Sequence, residues 1–324
     1  GLSTRLLDIL KALDMLVDHA IAHEVDLVLF CGDAYKNRDP SQTHQRELAK
    51  RLKILSHNDI PVFLLVGNHD LPNAAGRANA VDIFGTLGVN KVYVGSEFNT
   101  YLIKTKQGDI QIVAMPWLRR SGLLSKEEYK GLSIDQANDK LQEIMTMRLM
   151  DLNNRLDARI PAVLAAHATI STAKSGSETS MLVGRDPILL LSNVAQPSFD
   201  YVALGHIHKM QILQQNPLVI YSGSLERLEF GDEGEEKGFF TVDINTEKQP
   251  REVSFEFHKV NARRFVTLKI EVSEDELDPT TCIVDAIKKH HDEINGAVIR
   301  LQITIPKRSD NLIRDADVYK EVKE

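Results

Sequence analysis

Hydrophobic positions in the first third of the chain alternate between a helical spacing and short continuous runs. Residues 3–23 carry leucines and other apolar side chains three and four positions apart, which predicts an amphipathic helix. Residues 61–66 are a continuous apolar run, and residues 25–31 are apolar except for Asp26; both are typical of buried strands. Residues 41–57, between these two runs, return to the helical spacing. The alternation predicts an α/β layer fold.

The rest of the chain is richer in predicted strands. Short strands are predicted at residues 92–95, 100–104, 110–115, 161–166, 199–204, 219–224 and 238–242. Helices are predicted at residues 76–87 and 134–157. The composition changes near residues 258–264, and a strand–helix–strand pattern then occupies residues 265–305. We interpret this last pattern as a separate small domain.

Polar side chains follow four of the predicted strands at the point where each strand ends. They are Asp33, the run Asn68, His69 and Asp70, then His167, and finally His206 with His208. In α/β folds, ligands and catalytic groups gather beyond the carboxyl ends of the strands. A polar turn after a core strand would explain any one of these groups alone, but their repetition at four strand ends favours a shared site.

The chemistry of these side chains indicates a metal centre. Carboxylate, amide and imidazole groups without a thiolate suit Mn²⁺, Zn²⁺ or Fe²⁺ better than Ca²⁺. A carboxylate such as Asp33 can bridge two cations. Two cations held about 4 Å apart can activate water and stabilise a leaving oxygen at phosphorus. The pattern is therefore one that can support phosphoester hydrolysis.

Composition and charge bear on nucleic-acid binding, on membrane insertion and on disulfide formation. The 324 residues carry a formal net charge of −7, so any contact with nucleic acid must come from local basic patches or bound cations. No apolar stretch approaches the roughly 20 residues that span a bilayer, and no signal peptide is visible. Cys31 and Cys282 lie far apart in the sequence, which gives no indication of a disulfide framework. We expect a cytoplasmic protein.

The order GD, GNHD, H and GHxH resembles that of the calcineurin-like metallophosphoesterase superfamily. The stretches GDAYKNRDPS, PVFLLVGNHDLP and YSGSLERLEFGDEGEEKGF resemble, more narrowly, the SbcD family of DNA double-strand-break repair nucleases. The resemblance implies an α/β (α+β) fold, with a metallophosphoesterase β-sandwich flanked by helices and a small α/β capping domain. We expect a nuclease domain at residues 1–258, a capping domain at 259–306 and a linker or tail at 307–324.

The resemblance also implies roles for the residues at the strand ends. Asp33 would bridge two Mn²⁺ ions, with Asn68, His167 and His206 on one ion and His208 on the other. His69 would be the acid that protonates the leaving oxygen, since an imidazole transfers protons near neutral pH. Asp70 is expected to make a structural hydrogen bond.

One part of the family pattern is missing before Asp33. Members of the family begin with a strand that ends in Asp-x-His and supplies two more ligands, whereas this sequence opens on the following helix. We expect an amino-terminally shortened form, with a degenerate relative as the alternative. Either way, the remaining ligands predict at most one tightly bound metal ion in this chain and negligible nuclease activity.

The implied function is that of an Mn²⁺-dependent nuclease subunit, a 3′-to-5′ double-strand exonuclease and single-strand endonuclease. It would work with an SbcC-type ATPase, dimerise through the helices at 41–57 and 76–88, and associate with the nucleoid in a prokaryote. Two alternatives stay open: a non-catalytic scaffold of the same complex, and a phosphodiesterase acting on small substrates. The candidate DNA-binding side chains are Tyr35, Lys36, Arg38, Arg119 and Arg120. Tyr35 can equally be a packed aromatic residue, and Trp117 is expected to be a core residue rather than a base-stacking platform.

Overall fold

The computed structural model describes residues 2–72, 77–174 and 186–323. The chain forms two compact units. The large unit comprises residues Gly1–Glu226 and Glu236–Val260, and the small unit comprises Arg227–Glu235 and Asn261–Glu324. These compact units divide the chain differently from the expected domains, whose boundaries at residues 258 and 306 stay a prediction.

A three-stranded parallel sheet organises the first part of the large unit. Its strands β1 (Val28–Phe30), β2 (Val62–Leu65) and β3 (Val92–Gly95) lie side by side in that order. The helices of this part are α1 (Thr4–Ala22), α2 (Gln42–His57) and α3 (Asp82–Thr86). The helix predicted at residues 76–88 is observed only as the short helix α3. Residues 73–76 lie outside the described part of the chain.

Capping and an ion pair explain why α1 and α2 begin and pack as they do. The hydroxyls of Ser3 and Ser41 each accept a hydrogen bond from a backbone N–H in the first turn of their helix. Arg51 on α2 donates two hydrogen bonds of 2.8 Å to the carboxylate of Asp14 on α1. It also contacts Glu47, whose pKa is lowered to about 2 by hydrogen bonds from Lys50 and Arg51.

A six-stranded mixed sheet forms the second layer of the large unit. The strands are β4 (Asn99–Thr105), β5 (Gly108–Met115), β6 (Ala162–His167), β9 (Tyr201–Gly205), β10 (Gln211–Gln215) and β11 (Leu218–Tyr221). Their order in the sheet is β10–β11–β9–β6–β5–β4, and only the two edge strands, β4 and β10, run antiparallel to their neighbours.

The two sheets share one hydrophobic core. Phe63 and Leu65 of β2 lie in the same buried cluster as Ile112 of β5 and Val163 of β6. The opposite face of the six-stranded sheet packs against helix α5 (Ile134–Asn153), which begins with a capping box at Ser133. The prediction of a helix-flanked β-sandwich is confirmed.

The remaining elements complete the two units. In the large unit they are α4 (Arg120–Leu124), β7 (Thr169–Ile170), β8 (Ile188–Leu189), α6 (Leu191–Val194) and the hairpin of β12 (Gly238–Asn245) and β13 (Glu252–Lys259). The small unit has the parallel strands β14 (Phe265–Glu271) and β15 (Val298–Thr304), with helices α7 (Pro279–Lys289), α8 (His291–Ile294) and α9 (Asp315–Lys323). No helix in the described part of the chain is long and apolar enough to cross a lipid bilayer.

Candidate metal centre

The strand ends of the two sheets bring four of the predicted ligands together. Asp33 follows β1, Asn68 follows β2, His167 is the last residue of β6 and His206 comes directly after β9. The strands β6 and β9 are adjacent and parallel, with His167 paired to Gly205. The carboxyl ends of these strands therefore place oxygen and nitrogen donors from both layers of the sandwich at one edge.

Two glycines permit this close approach. A Cβ atom on Gly67 would lie 2.2 Å from Asp33 Oδ1 and 2.8 Å from His167 Cε1. A Cβ atom on Gly205 would lie 1.9 Å from the carbonyl oxygen of Cys31. Any side chain at these positions would push the strand ends apart. The glycines of the GNHD and GHxH motifs are therefore needed because they have no side chain.

The ligand atoms converge closely. Asn68 Oδ1 lies 2.9 Å from His167 Nε2 and 3.1 Å from His206 Nδ1, and Asp33 Oδ2 lies 3.3 Å from His167 Nε2. Ligand atoms of Asp33, His167 and His206 all lie within 4.8 Å of one another, and this is the one such group of histidine, cysteine and acidic residues in the described chain.

The orientation of the His167 ring suits a metal ligand. Its Nδ1–H donates to the carbonyl oxygen of Cys31 at 2.7 Å, so Nε2 is the ring nitrogen that faces Asp33 and Asn68 and that a cation would bind in place of its proton. Metal-binding histidines characteristically donate their other ring N–H in this way. The residues present therefore fit a divalent cation of the Mn²⁺, Zn²⁺ or Fe²⁺ type, held by mixed oxygen and nitrogen donors.

Asp33 and His167 stabilise the charged form of each other. Burial alone would raise the pKa of Asp33, but the charge of His167 and its hydrogen bond, with His69, hold that pKa at about 2. Burial alone would lower the pKa of His167, and the Asp33 carboxylate instead raises it above its ordinary value. The Asp33 carboxylate is thus ionised and ready to accept a cation at neutral pH.

His206 has a further acidic neighbour that the sequence did not reveal. Its buried Nε2 makes no hydrogen bond with the described residues and lies 3.6 Å from Asp186 Oδ2. Burial lowers the pKa of His206, and Asp186 partly opposes that effect. No motif in the sequence marks Asp186, because it belongs to none of the predicted strand ends.

Asp70 supports the turns that carry Asp33 and Asn68. Its side chain is fully buried, and its Oδ2 accepts hydrogen bonds of 2.9 Å from the backbone N–H groups of Asp33 and Gly67. The Tyr35 N–H donates a longer bond of 3.4 Å to Oδ1. Burial and the nearby Asp33 carboxylate raise the pKa of Asp70 to about 6. The predicted structural hydrogen bond is observed.

His69 and His208 do not belong to the converging group of Asp33, His167 and His206. The His69 backbone N–H donates to Asp33 Oδ1 at 2.7 Å, and its side chain is half-buried. The carbonyl oxygen of His208 accepts hydrogen bonds from Ser224 N–H at 3.0 Å and from the buried Lys237 Nζ at 2.9 Å.

Three of the predicted DNA-binding residues line one cavity beside Asn68. Arg38, Arg119 and Arg120 surround a volume of about 280 Å³ together with Trp117. Burial and the charge of Arg38 lower the pKa of Arg119, as expected where cations are crowded. Lys36 is exposed and is not among the residues that line this cavity. Tyr35 is only 6% exposed, which favours the packed-aromatic interpretation.

A second group of histidines lies at the end of α1. The ring of His19 stacks on that of His23 with 3.9 Å between centroids and lies 4.1 Å from that of His258. These three residues do not form a group whose ligand atoms all lie within 4.8 Å of one another. His19 and His23 therefore do not replace any ligand of the Asp33 site.

Comparison with known proteins adds the following similarities. The family model for calcineurin-like phosphoesterases matches residues 5–210. The chain is 28% identical over 254 residues to the SbcD subunit of the nuclease SbcCD from Rhodobacter capsulatus, a match that covers 72% of this chain. It spans about 60% of the length of that relative. The crystal structure of TT1561 from Thermus thermophilus aligns with a TM-score of 0.42 at 16% identity, over 77% of this chain and 94% of the other.

Proposed function

The chain belongs to the calcineurin-like phosphoesterase family, and we propose that it is an SbcD-type subunit of a metal-dependent DNA nuclease. The observation that carries this proposal is the convergence of Asp33, Asn68, His167 and His206 at the strand ends. The 28% identity to the SbcD subunit of an SbcCD nuclease supports the choice of DNA over other phosphoesters.

The contacts at the strand ends support the proposed ligand set for one cation. Asp33, Asn68, His167 and His206 would hold this cation, and His208 would contribute with Asp33 to a second. When bound, the cations, proposed to be Mn²⁺, activate a water molecule and stabilise the leaving oxygen. We expect this chain to bind at most one divalent ion tightly, since His208 stands outside the converging group.

His69 is proposed as the proton donor to the leaving oxygen. Its backbone is fixed to the Asp33 carboxylate at 2.7 Å, so the residue stays beside the ligand group while its own side chain is half-buried. A neutral-pH proton transfer suits an imidazole, and the residue is not required as a ligand.

The arginine-lined cavity is proposed to bind the DNA backbone. Arg38, Arg119 and Arg120 place positive charge directly beside Asn68, although the whole chain carries a net charge of −7. Guanidinium groups pair well with phosphate oxygens. Contacts of this kind give affinity without base specificity, as an exonuclease requires.

The assembly is proposed by analogy with the SbcCD relative. The partner would be an SbcC-type ATPase. The substrates would be the 3′ ends of duplex DNA and single strands. The protein would act in the cytoplasm or at the nucleoid. A homodimer through α2 and α3 is supported by the exposed apolar side chains of Ile54 on α2, Ile83 on α3 and Leu87 directly after α3.

Calorimetric titration of the chain with Mn²⁺ tests the ligand set. Wild-type chain should bind the ion, His167→Ala should lose binding, and His291→Ala, an exposed histidine of the small unit, should keep it. Equal binding by all three proteins would contradict the proposed site.

End-labelled duplex DNA and a chromogenic phosphodiester then test the substrate, with Mn²⁺ and a form of the protein in which a strand ending in Asp-x-His precedes α1. Degradation of the duplex that depends on His167 supports a nuclease. Cleavage of the small phosphodiester alone would indicate a small-substrate enzyme, and cleavage of neither would indicate a scaffold.

A further inference from the structure

Trp117 lies where the two sheets of the large unit meet at the candidate metal centre. It follows Pro116 just beyond the end of β5, in the six-stranded sheet. Its backbone N–H donates to the carbonyl oxygen of Val66, just beyond β2 of the three-stranded sheet, at 3.0 Å. The main chain at Trp117 is thus fixed to the strand end that carries Asn68.

The indole packs against both candidate imidazole ligands. Its centroid lies 4.8 Å from that of His206, with 34° between the ring planes, and 6.0 Å from that of His167, with 81° between the planes. The two imidazoles are themselves 5.1 Å apart at 66°. Aromatic pairs at these separations attract each other in specific orientations.

His206 needs such support more than His167 does. The His167 ring is held at both nitrogens, by the Cys31 carbonyl and by Asn68. The His206 ring has one hydrogen bond, of 3.1 Å to Asn68, and its other nitrogen lies 3.6 Å from Asp186 Oδ2 without a hydrogen bond from the described residues. Its backbone φ of +96° also lies in a region that non-glycine residues seldom adopt. The indole, 4.8 Å away between ring centroids, adds a packing restraint on rotation of the His206 ring about its Cβ–Cγ bond.

We propose that Trp117 is a positioning residue that holds the imidazole of His206 in the orientation that binds the metal ion. The inference rests on the proposed metal centre and adds an aromatic support to it. Trp117 also lines the arginine-lined cavity, together with Asn68.

The chain contains a single tryptophan, which makes the test direct. Binding of Mn²⁺ is measured by calorimetry for wild type, Trp117→Leu, Trp117→Phe and Phe98→Leu. Phe98 is a matched control, because it is a partly buried aromatic residue that packs against the core behind the six-stranded sheet. Loss of a residue that orients a metal ligand typically weakens metal affinity by about 10- to 100-fold. We expect that loss for Trp117→Leu, substantial recovery for Trp117→Phe, and wild-type affinity for Phe98→Leu.

The melting temperatures of the metal-free variants separate positioning from general stability. Trp117→Leu and Phe98→Leu should melt at similar temperatures while only the first loses affinity. Wild-type affinity in a folded Trp117→Leu variant would overturn the inference and leave the proposed function intact. Absence of Mn²⁺ binding in the wild type would overturn both.

The fluorescence of the wild-type protein gives a second measurement that does not depend on the folding of a variant. Titration with Co²⁺ should quench Trp117 with the affinity that calorimetry with Co²⁺ reports, and His206→Ala should remove the high-affinity phase. An emission unchanged at saturation would overturn the inferred contact.

Discussion

Replacing Asp70 removes a buried acceptor without removing a proposed ligand. Its Oδ2 atom accepts two hydrogen bonds of 2.9 Å, from Asp33 N–H and Gly67 N–H, in a side chain that is fully buried. In Asp70→Ala both donors lose their partner. An unsatisfied buried donor costs about 1–3 kcal/mol, so the free energy of unfolding should fall by about 2–6 kcal/mol.

Asp70→Asn is the matched control for the loss of charge. Its amide oxygen can occupy the Oδ2 position and keep both short hydrogen bonds, and its NH₂ group then faces the Tyr35 N–H, whose bond to Oδ1 is long at 3.4 Å. The free energy of unfolding should therefore stay within about 1.5 kcal/mol of wild type, the size of one ordinary hydrogen bond. Both variants remove the carboxylate charge. The difference between their free energies of unfolding therefore measures the contribution of the hydrogen-bond acceptor.

Urea unfolding monitored by Trp117 fluorescence measures this difference. The single tryptophan lies in the large unit, so its emission follows the unit that contains Asp70. Equal slopes of free energy against urea concentration would show that the same surface is exposed on unfolding. If Asp70→Ala and Asp70→Asn have the same stability, the proposed support of the Asp33 and Gly67 backbone is wrong.

Three further predictions concern catalysis, DNA binding and the loop of His208. In a form of the protein with a strand ending in Asp-x-His ahead of α1, His69→Asn should abolish Mn²⁺-dependent duplex cleavage and leave the affinities for Mn²⁺ and DNA nearly unchanged. An equal loss of Mn²⁺ binding would contradict a proton-donor role. Arg119→Ala and Arg120→Ala should each reduce the slope of log affinity against log salt by about 1, uniformly across DNA sequences, and an altered sequence preference would count against phosphate contacts. Lys237→Met should lower the free energy of unfolding by about 1.5–3 kcal/mol through loss of the hydrogen bond to the His208 carbonyl. The exposed control Lys259→Met should change it little, and equal effects would refute that role.

The strand ends could be predicted from the sequence because two patterns coincide there. A buried strand leaves an apolar run, and the glycine and polar residues that follow mark its end, as after β2. The fold class and the convergence of Asp33, Asn68, His167 and His206 both follow from this alignment of strand ends at one edge.

Other features depend on three-dimensional contacts that leave no local pattern. Asp186 meets His206 only in the folded chain, and Lys237, in an acidic and exposed-looking stretch, is 1% exposed beneath the His208 loop. The single helix of the predicted strand–helix–strand pattern is divided at His290, between α7 and α8. Trp117, expected in the core, is half-buried against the imidazoles instead.

Anomalous X-ray diffraction from crystals of this chain soaked in Mn²⁺ would show directly whether the strand ends bind a metal ion. We expect one strong manganese peak in contact with Asp33, the Asn68 side-chain oxygen, His167 Nε2 and His206, with no comparable peak at His19 or His23. A strong peak elsewhere with none between these four residues, or no peak at saturating Mn²⁺, would contradict the proposed metal centre.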